Sequence, residues 1–245
     1  MTLNHACAKK EKLVKLDTAI ILAGGPATRM KPFTNTAPKG MINVLGKPLL
    51  QWIIEWLREY EVRNIVLGVA YLKDEIIKYF RDGSEFGVNI SYSVHTVDGG
   101  TGEGFRLAIQ RHINQPDFFA LNGDQITDLN LKDLASFHLK HHRVATMVLA
   151  NPRCPFGHVL SDEEGNVTGF EEKPLCPATC NAGIYAFGKE ILHHLPETGD
   201  VEKTTFPLLA KRRELKAYRF DGFFVTINTS KDLIEAEKEM RRLRI

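Results

Sequence analysis

The chain alternates short apolar runs with stripes of apolar residues at helical spacing. Ala19-Ile20-Ile21-Leu22-Ala23 is closed by Gly24-Gly25 and reads as a strand buried on both faces. Leu49 to Tyr60 carries a helical stripe, Ile65 to Val69 a second strand, and Lys73 to Asp82 a short amphipathic helix. Val88 to Val94 alternates like a strand, Glu103 to His112 predicts a helix, and Phe118 to Leu121 a strand running into Asn122-Gly123-Asp124. Leu131 to His142 predicts a helix and Ala145 to Leu149 another strand. Strands separated by single helices imply right-handed βαβ units and a mostly parallel sheet, an α/β fold in three layers. Beyond residue 150 short strands and turns take over, punctuated by Gly157, Gly165 and Gly183. That half is expected to extend the sheet with antiparallel pieces and to form the second wall of a cleft. Thr229 to Arg244 predicts a closing helix capped by Thr229 or Ser230. No internal repeat, low-complexity segment or linker interrupts the pattern.

At 245 residues the chain suits one large domain with a full core. Hydrophobic residues at 43% and charged residues at 25% are ordinary for a globular protein, and a net charge of +2 gives no electrostatic case for nucleic acid or a membrane surface. No apolar run approaches the ~20 residues of a membrane span. Residues 1–17 are polar and basic without an apolar centre, so they read as a flexible lead-in rather than a secretory signal. A cytoplasmic protein with reduced thiols at its four cysteines is the expectation.

The chemistry concentrates between Thr18 and Lys39. After the first strand, Gly24-Gly25 let the backbone turn and approach a ligand, and successive loop amides can form an anion-binding concavity. Arg29 adds a planar cation suited to phosphate, and Lys39 adds a second ten residues on. A polyphosphate pocket follows. It is not a P-loop, since no Gly-Lys-Ser/Thr follows Gly25, and not a dinucleotide fingerprint, since nothing completes G-x-G-x-x-G.

Gly24-Gly25-Pro26-Ala27-Thr28-Arg29, then Pro32, Thr34 and Pro38-Lys39-Gly40, resembles the signature of the sugar-1-phosphate nucleotidylyltransferases, the NDP-sugar pyrophosphorylases: G-G-x-G-T-R, a proline and a threonine, then P-K-P. Ala27 and Gly40 depart from it. The resemblance runs from Thr18 to the closing helix and implies the Rossmann-like nucleotidyltransferase type A fold, one domain over 18–245, with a nucleotide-binding half (18–150) and a sugar-binding half (151–245). Leu22, Ala23, Gly24, Gly25, Thr28 and Arg29 would then bind the nucleotide. Asp124, at the carboxyl end of a strand, matches the family's metal-binding Asp and would hold Mg²⁺, the implied cofactor. Gly99-Gly100-Thr101-Gly102-Glu103-Gly104 is similar to the family's L-G-T-A/G-G loop by the base and ribose. Gly100, Thr101 and Gly102 match there, while Gly99 and Glu103 depart. Glu171-Glu172-Lys173-Pro174 resembles the E-K-P hook, in which Glu172 would accept from sugar hydroxyls and Lys173 neutralise the sugar phosphate. Gly157, Asn181 and Gly183 stand at the other sugar-site positions, with Ile184 and Tyr185 expected in the core. Near the C-terminus the family reads G-Y-W-x-D-I-G-T. Here Thr226 stands where the second metal-binding Asp is expected, and Asn228 could supply an oxygen two residues on.

The best-matched segments, including the Tyr92-Ser93 strand and the turn from Asn181 to Tyr185, are similar to the branch handling mannose- or heptose-type 1-phosphates with guanylyl transfer. A chain ending near residue 245 leaves no room for the left-handed β-helix of many relatives, so no acetyltransferase activity is expected. The implied reaction joins a nucleoside triphosphate and a sugar 1-phosphate into an NDP-sugar and pyrophosphate, with Arg29, Lys39, Asp124 and Lys173 as the catalytic set. The alternative is a catalytically weak relative that binds a nucleotide or NDP-sugar and regulates a partner; the departures at Ala27, Gly40, Glu103 and Thr226 favour it, the retained cations oppose it. A homo-oligomer stays open. Cys154-x3-His158 and Cys176-x3-Cys180 could supply four zinc ligands, although both Cys154 and Cys176 precede prolines and no CxxC spacing occurs. The remaining histidines, including His141-His142 and His193-His194, read as solvated helix residues.

Overall fold

The computed structural model describes residues 16–26, 28–30, 37–141, 143–154, 156–176 and 178–243. The lead-in before residue 16, and Ala27, Pro32 and Thr34 of the first motif, lie outside them. The elements are β1 (Thr18–Leu22), β2 (Asn43–Val44), β3 (Lys47–Pro48), α1 (Leu49–Glu59), β4 (Asn64–Val69), α2 (Lys73–Phe80) and β5 (Asn89–Val94). There follow α3 (Gly100–His112), β6 (Asp117–Asn122), β7 (Gln125–Thr127), α4 (Leu131–His141), β8 (Ala145–Ala150), β9 (His158–Ser161) and β10 (Val167–Glu171). The last are β11 (Cys180–Gly188), α5 (Thr205–Lys211), β12 (Leu215–Arg219), β13 (Phe224–Thr226) and α6 (Ser230–Leu243).

Seven strands form the central sheet in the order β12-β8-β11-β6-β1-β4-β5. β1 lies parallel to β4 and β6, β4 to β5, and β12 to β8; β11 runs antiparallel to both β6 and β8. The antiparallel strand expected of the second half therefore sits inside the sheet. Strand alternation splits the core into two layers. Ile21, Leu67 and Leu121 face α1, α2 and α4 through Leu50, Ile54, Phe80 and Leu134, whereas Ile20, Val66 and Ala120 face α3 and α5 through Phe105, Ile109 and Leu209. Each such side chain contributes about 1.5–3 kcal/mol by leaving water. Ile184 and Tyr185 are fully buried, as expected from their place in β11.

A third, smaller core gathers Met30, Ile42, Val44, Leu49, Ile126, Ile227, Ala236 and Met240. These residues belong to the turn after the glycine loop, β2, α1, β7, the segment after β13, and α6. The small core thus ties the backbones that carry Arg29, Lys39, Asp124 and Asn228 to one another.

His138 corrects the expectation of solvated histidines. It is 1% exposed on α4, with Nδ1 2.8 Å from Thr146 Oγ1 and Nε2 3.2 Å from Asp117 Oδ1. A polar ring so buried needs both partners, and β6 and β8 supply them. His142 lies outside the described residues.

Candidate active site

A cleft of about 290 Å³ opens at the carboxyl ends of β1 and β6, the place where open α/β sheets take ligands. Of the nucleotide-side residues read from the sequence, Leu22, Ala23, Gly24, Gly25, Lys39, Gly100, Thr101 and Asp124 line it. β1 leaves the sheet at Leu22, and Ala23 N–H donates to Gly68 O (2.7 Å), which holds the glycine loop onto β4. Gly24 is required by a close approach: a Cβ there would stand 2.5 Å from the Cε1 and Nε2 of His95. The Ala70 backbone nitrogen, 2.9 Å from the same point, is the neighbour that cannot give way.

Lys39 is the centre of the polar cluster. Its Nζ donates to Asp124 Oδ2 (2.8 Å) and Asn228 Oδ1 (2.8 Å), and an Arg29 guanidinium N–H reaches the same Asn228 oxygen at 3.4 Å. Four residues separated by up to 199 positions meet here. Asp124 follows β6, and its carbonyl accepts from Ile227 N–H (2.9 Å), which ties it to the segment after β13. Thr28 and Arg29 belong to the turn beside the cleft, on the buried Met30.

The donor set suits a hard cation. Oxygens of Asp124 and Asn228 converge on one point, the Lys39 ammonium, and Mg²⁺ takes one or two protein oxygens with substrate phosphates completing its shell. Of the two candidates for a second ligand, Asn228 shares the Lys39 ammonium with Asp124. Thr226 pairs in β13 opposite Gln125 of β7.

The glycine-rich segment forms the first turn of α3. Its neighbour is the 196–202 loop: Gly102 N–H donates to Gly199 O (2.8 Å), Gly199 N–H to Gly99 O (2.8 Å), and Val201 N–H to Thr101 Oγ1 (2.9 Å). The Thr101 hydroxyl donates to Glu202 Oε2 (2.7 Å), so it holds this loop, and Asp200 is carried to the cleft wall. The Lys203 ammonium holds the Asp200 carboxyl below its ordinary value. Glu103 turns away from the cleft. It folds back over Gly99 and accepts from Thr96 N–H (3.1 Å) and Thr96 Oγ1 (2.6 Å), which lowers its pKa. A Cβ on residue 99 would stand 1.5 Å from Glu103 Oε2. A side chain at 99 would have to displace this carboxylate.

The sugar-side residues lie on separate supports. Gly157 touches Phe170 and the Glu172 carboxylate at the β9–β10 hairpin. Lys173, at φ +48°, forms an ion pair with Glu235 of α6, which raises its pKa. Asn181 and Gly183 begin β11: the Asn181 amide accepts from Gly183 N–H (2.9 Å) and donates to Tyr185 OH (2.8 Å). Buried Gln125 donates to Gly183 O (3.1 Å), which brings this turn to the Asp124 side. Gly157, Glu172 and Lys173 do not line the cleft.

Three polar side chains of the cleft were missed from the sequence. His95 follows β5, and Asn122 ends β6; each has a buried polar atom, Nε2 and Oδ1, with no hydrogen-bond partner among the described residues. Both stand at carboxyl ends of parallel strands, a placement that could have found them. Asp200 had no such signal. The proposed zinc ligands are not gathered: among the described residues no group of three or more His, Cys, Asp or Glu side chains could hold a metal. His158 and Cys180 begin strands and are exposed, while Cys154 and Cys176 contact each other.

The sequence matches the Nucleotidyl transferase family over residues 18–242, and the chain belongs to that family. It is 34% identical over 223 residues to the mannose-1-phosphate guanylyltransferase catalytic subunit beta of Drosophila pseudoobscura pseudoobscura, covering 88% of this chain and 60% of that one. It is 34% identical over 211 residues to the UTP–glucose-1-phosphate uridylyltransferase of Synechocystis sp., covering 78% of this chain and 54% of that one. The chain thus spans little more than half the length of these curated relatives. Its fold superposes on the crystal structure of HddC from Yersinia pseudotuberculosis with a TM-score of 0.73 at 24% identity, covering 92% of this chain and 100% of the other. A complex of HddC with GMP-PN has the same TM-score. Among the described residues no helix is long and apolar enough to cross a membrane.

Proposed function

We propose that the chain is a sugar-1-phosphate nucleotidylyltransferase, joining a nucleoside triphosphate to a sugar 1-phosphate with release of pyrophosphate. The observation that carries this reading is the meeting of Arg29, Lys39, Asp124 and Asn228 beside a glycine-lined cleft at the ends of β1 and β6. Similarity to a mannose-1-phosphate guanylyltransferase supports GTP and a mannose-type 1-phosphate as substrates.

In this reading the triphosphate lies along Gly24 and Gly25. A phosphate oxygen of the sugar 1-phosphate attacks the α-phosphorus in line, and the bond to the β-phosphate oxygen breaks. The nucleophile is already an anion, so no residue need remove a proton. The chain's work is positioning and charge neutralisation. Lys39 leaves Asp124 and Asn228 to meet the phosphates, and Arg29 holds the departing pyrophosphate through its planar donors. Glu172 accepts from sugar hydroxyls and Lys173 attracts the sugar phosphate. Asp124, with Asn228 beside it, would hold Mg²⁺, which when bound neutralises phosphate charge.

Pyrophosphate release measured over a matrix of triphosphates and sugar 1-phosphates tests this. Turnover with a guanine triphosphate and a mannose- or heptose-type 1-phosphate is expected. A flat matrix with tight nucleotide binding would replace the enzyme by the regulatory relative.

A further inference from the structure

Cys154 and Cys176 have no part in that reaction, yet their thiols meet outside the cleft. Their sulfurs stand 2.7 Å apart and both residues are half-buried, within reach of small reagents. The backbone holds them there. Arg153 and Leu175 face each other in an isolated antiparallel bridge, Cys154 N–H donates to Pro174 O (2.7 Å), and Cys176 N–H donates to Pro152 O (2.8 Å). Alternation puts the side chains of 152, 154, 174 and 176 on one face, so the two thiols are diagonal neighbours across a two-strand neck. The Asn151 amide donates to Cys176 O (3.0 Å), and the proline after each cysteine favours the extended backbone of this pairing.

The neck encloses the whole β9–β10 hairpin, with Gly157, Glu172 and Lys173. That hairpin is thinly packed: Val159, Leu160, Val167 and Phe170 are between 56% and 67% exposed. Its neck is the natural place to control it.

We propose that Cys154 and Cys176 are an oxidative modification site, at which a low-molecular-weight disulfide converts the two thiols into an intrachain disulfide that restrains the β9–β10 hairpin. One cysteine, as the thiolate, attacks a sulfur of the small disulfide and releases one small thiolate. The second cysteine, after losing its proton, attacks the protein sulfur of the mixed disulfide and releases the other. Two protein thiols and one small disulfide thereby give one protein disulfide and two small thiols. A dithiol reductant reverses the step.

The full-length chain, reduced and desalted, would be treated with oxidised glutathione. Site by site, the expected product has lost two hydrogens and both thiols at Cys154 and Cys176 and gives a Cys154–Cys176 cross-linked peptide, while Cys7 and Cys180 carry at most glutathione adducts. Protease cleavage at the exposed 163–165 turn should slow at least threefold and recover with dithiothreitol. Cys154→Ser and Cys176→Ser should each keep a stable glutathione adduct instead. Stable adducts at Cys154 or Cys176 of the parent protein, a cross-link of either to another cysteine, or unchanged cleavage after cross-linking would overturn the proposal. An effect on KM for the sugar phosphate rests on the function proposed above. If the cross-link forms and cleavage slows while that KM stays fixed, the sugar-site assignment fails and the modification site stands.

Discussion

The two halves of the site are built differently. On the nucleotide side, the turn after the glycine loop, β7 and the segment after β13 are pinned by a small core, and the Lys39, Asp124 and Asn228 side chains beside it already touch. On the sugar side, Gly157, Glu172 and Lys173 stand on an exposed hairpin whose tethers are the cysteine neck and the Lys173–Glu235 pair. The difference teaches that a rigid frame can fix where charge is neutralised while a loosely held arm brings the second substrate. Damage to the first region should therefore appear in turnover, and damage to the second in the KM of one substrate.

The largest effect is expected at Asp124. Asp124→Asn should lower kcat by roughly 10³-fold with native circular dichroism, since it removes the carboxylate that Lys39 holds in the cluster. An active variant would detach Asp124 from the chemistry. Arg29→Ala should cost roughly 10²-fold in kcat, with little change in the sugar KM. Glu172→Gln should raise the KM for the sugar 1-phosphate roughly tenfold and leave the triphosphate KM alone; a rise in both would dissolve the contrast between the halves. Asn228→Asp restores a charge beside Asp124 and should lower the Mg²⁺ concentration for half-maximal activity several-fold, more than Thr226→Asp does. An equal response would return Thr226 to the site.

The smallest effect concerns pH. The Thr96 hydrogen bonds depress the Glu103 carboxyl below its ordinary 4.5. Their contribution to stability is therefore present above 4.5 and is lost as pH falls through the folded-state value. Glu103→Gln should flatten that acid limb in urea melts, with no change near neutrality in its slope. A variant with the parent's acid limb would mean that the latch contributes nothing.

Much of the nucleotide side was legible because its signals are local. An apolar run ending in Gly24-Gly25 is a strand and its turn, and Asn122-Gly123-Asp124 marks another strand end. The helices read from the sequence began and ended within a few residues of their hydrophobic stripes, α3 starting earlier because Gly100 to Gly102 make its first turn, whereas the short α5 was not read at all. What could not be read depends on closure in space. Asp200 reaches the cleft because a distant loop packs on Gly99 to Gly102, and His138 is buried because β6 and β8 present partners to α4. The position of β11 between β6 and β8 likewise has no counterpart in periodicity. Cys154 and Cys176 suggested a metal by spacing, whereas strand pairing across the neck set their contact.

The fit of Glu103 over Gly99 also makes two positions answer to one another. A Cβ on residue 99 would meet the Glu103 carboxylate at 1.5 Å, so a side chain there has to push that carboxylate off Thr96. Once Glu103 has moved, the Thr96 hydroxyl at 2.7 Å is the neighbour that remains. A change at residue 99 is thus felt first as the loss of the Thr96 hydrogen bonds, and only then as crowding of the loop.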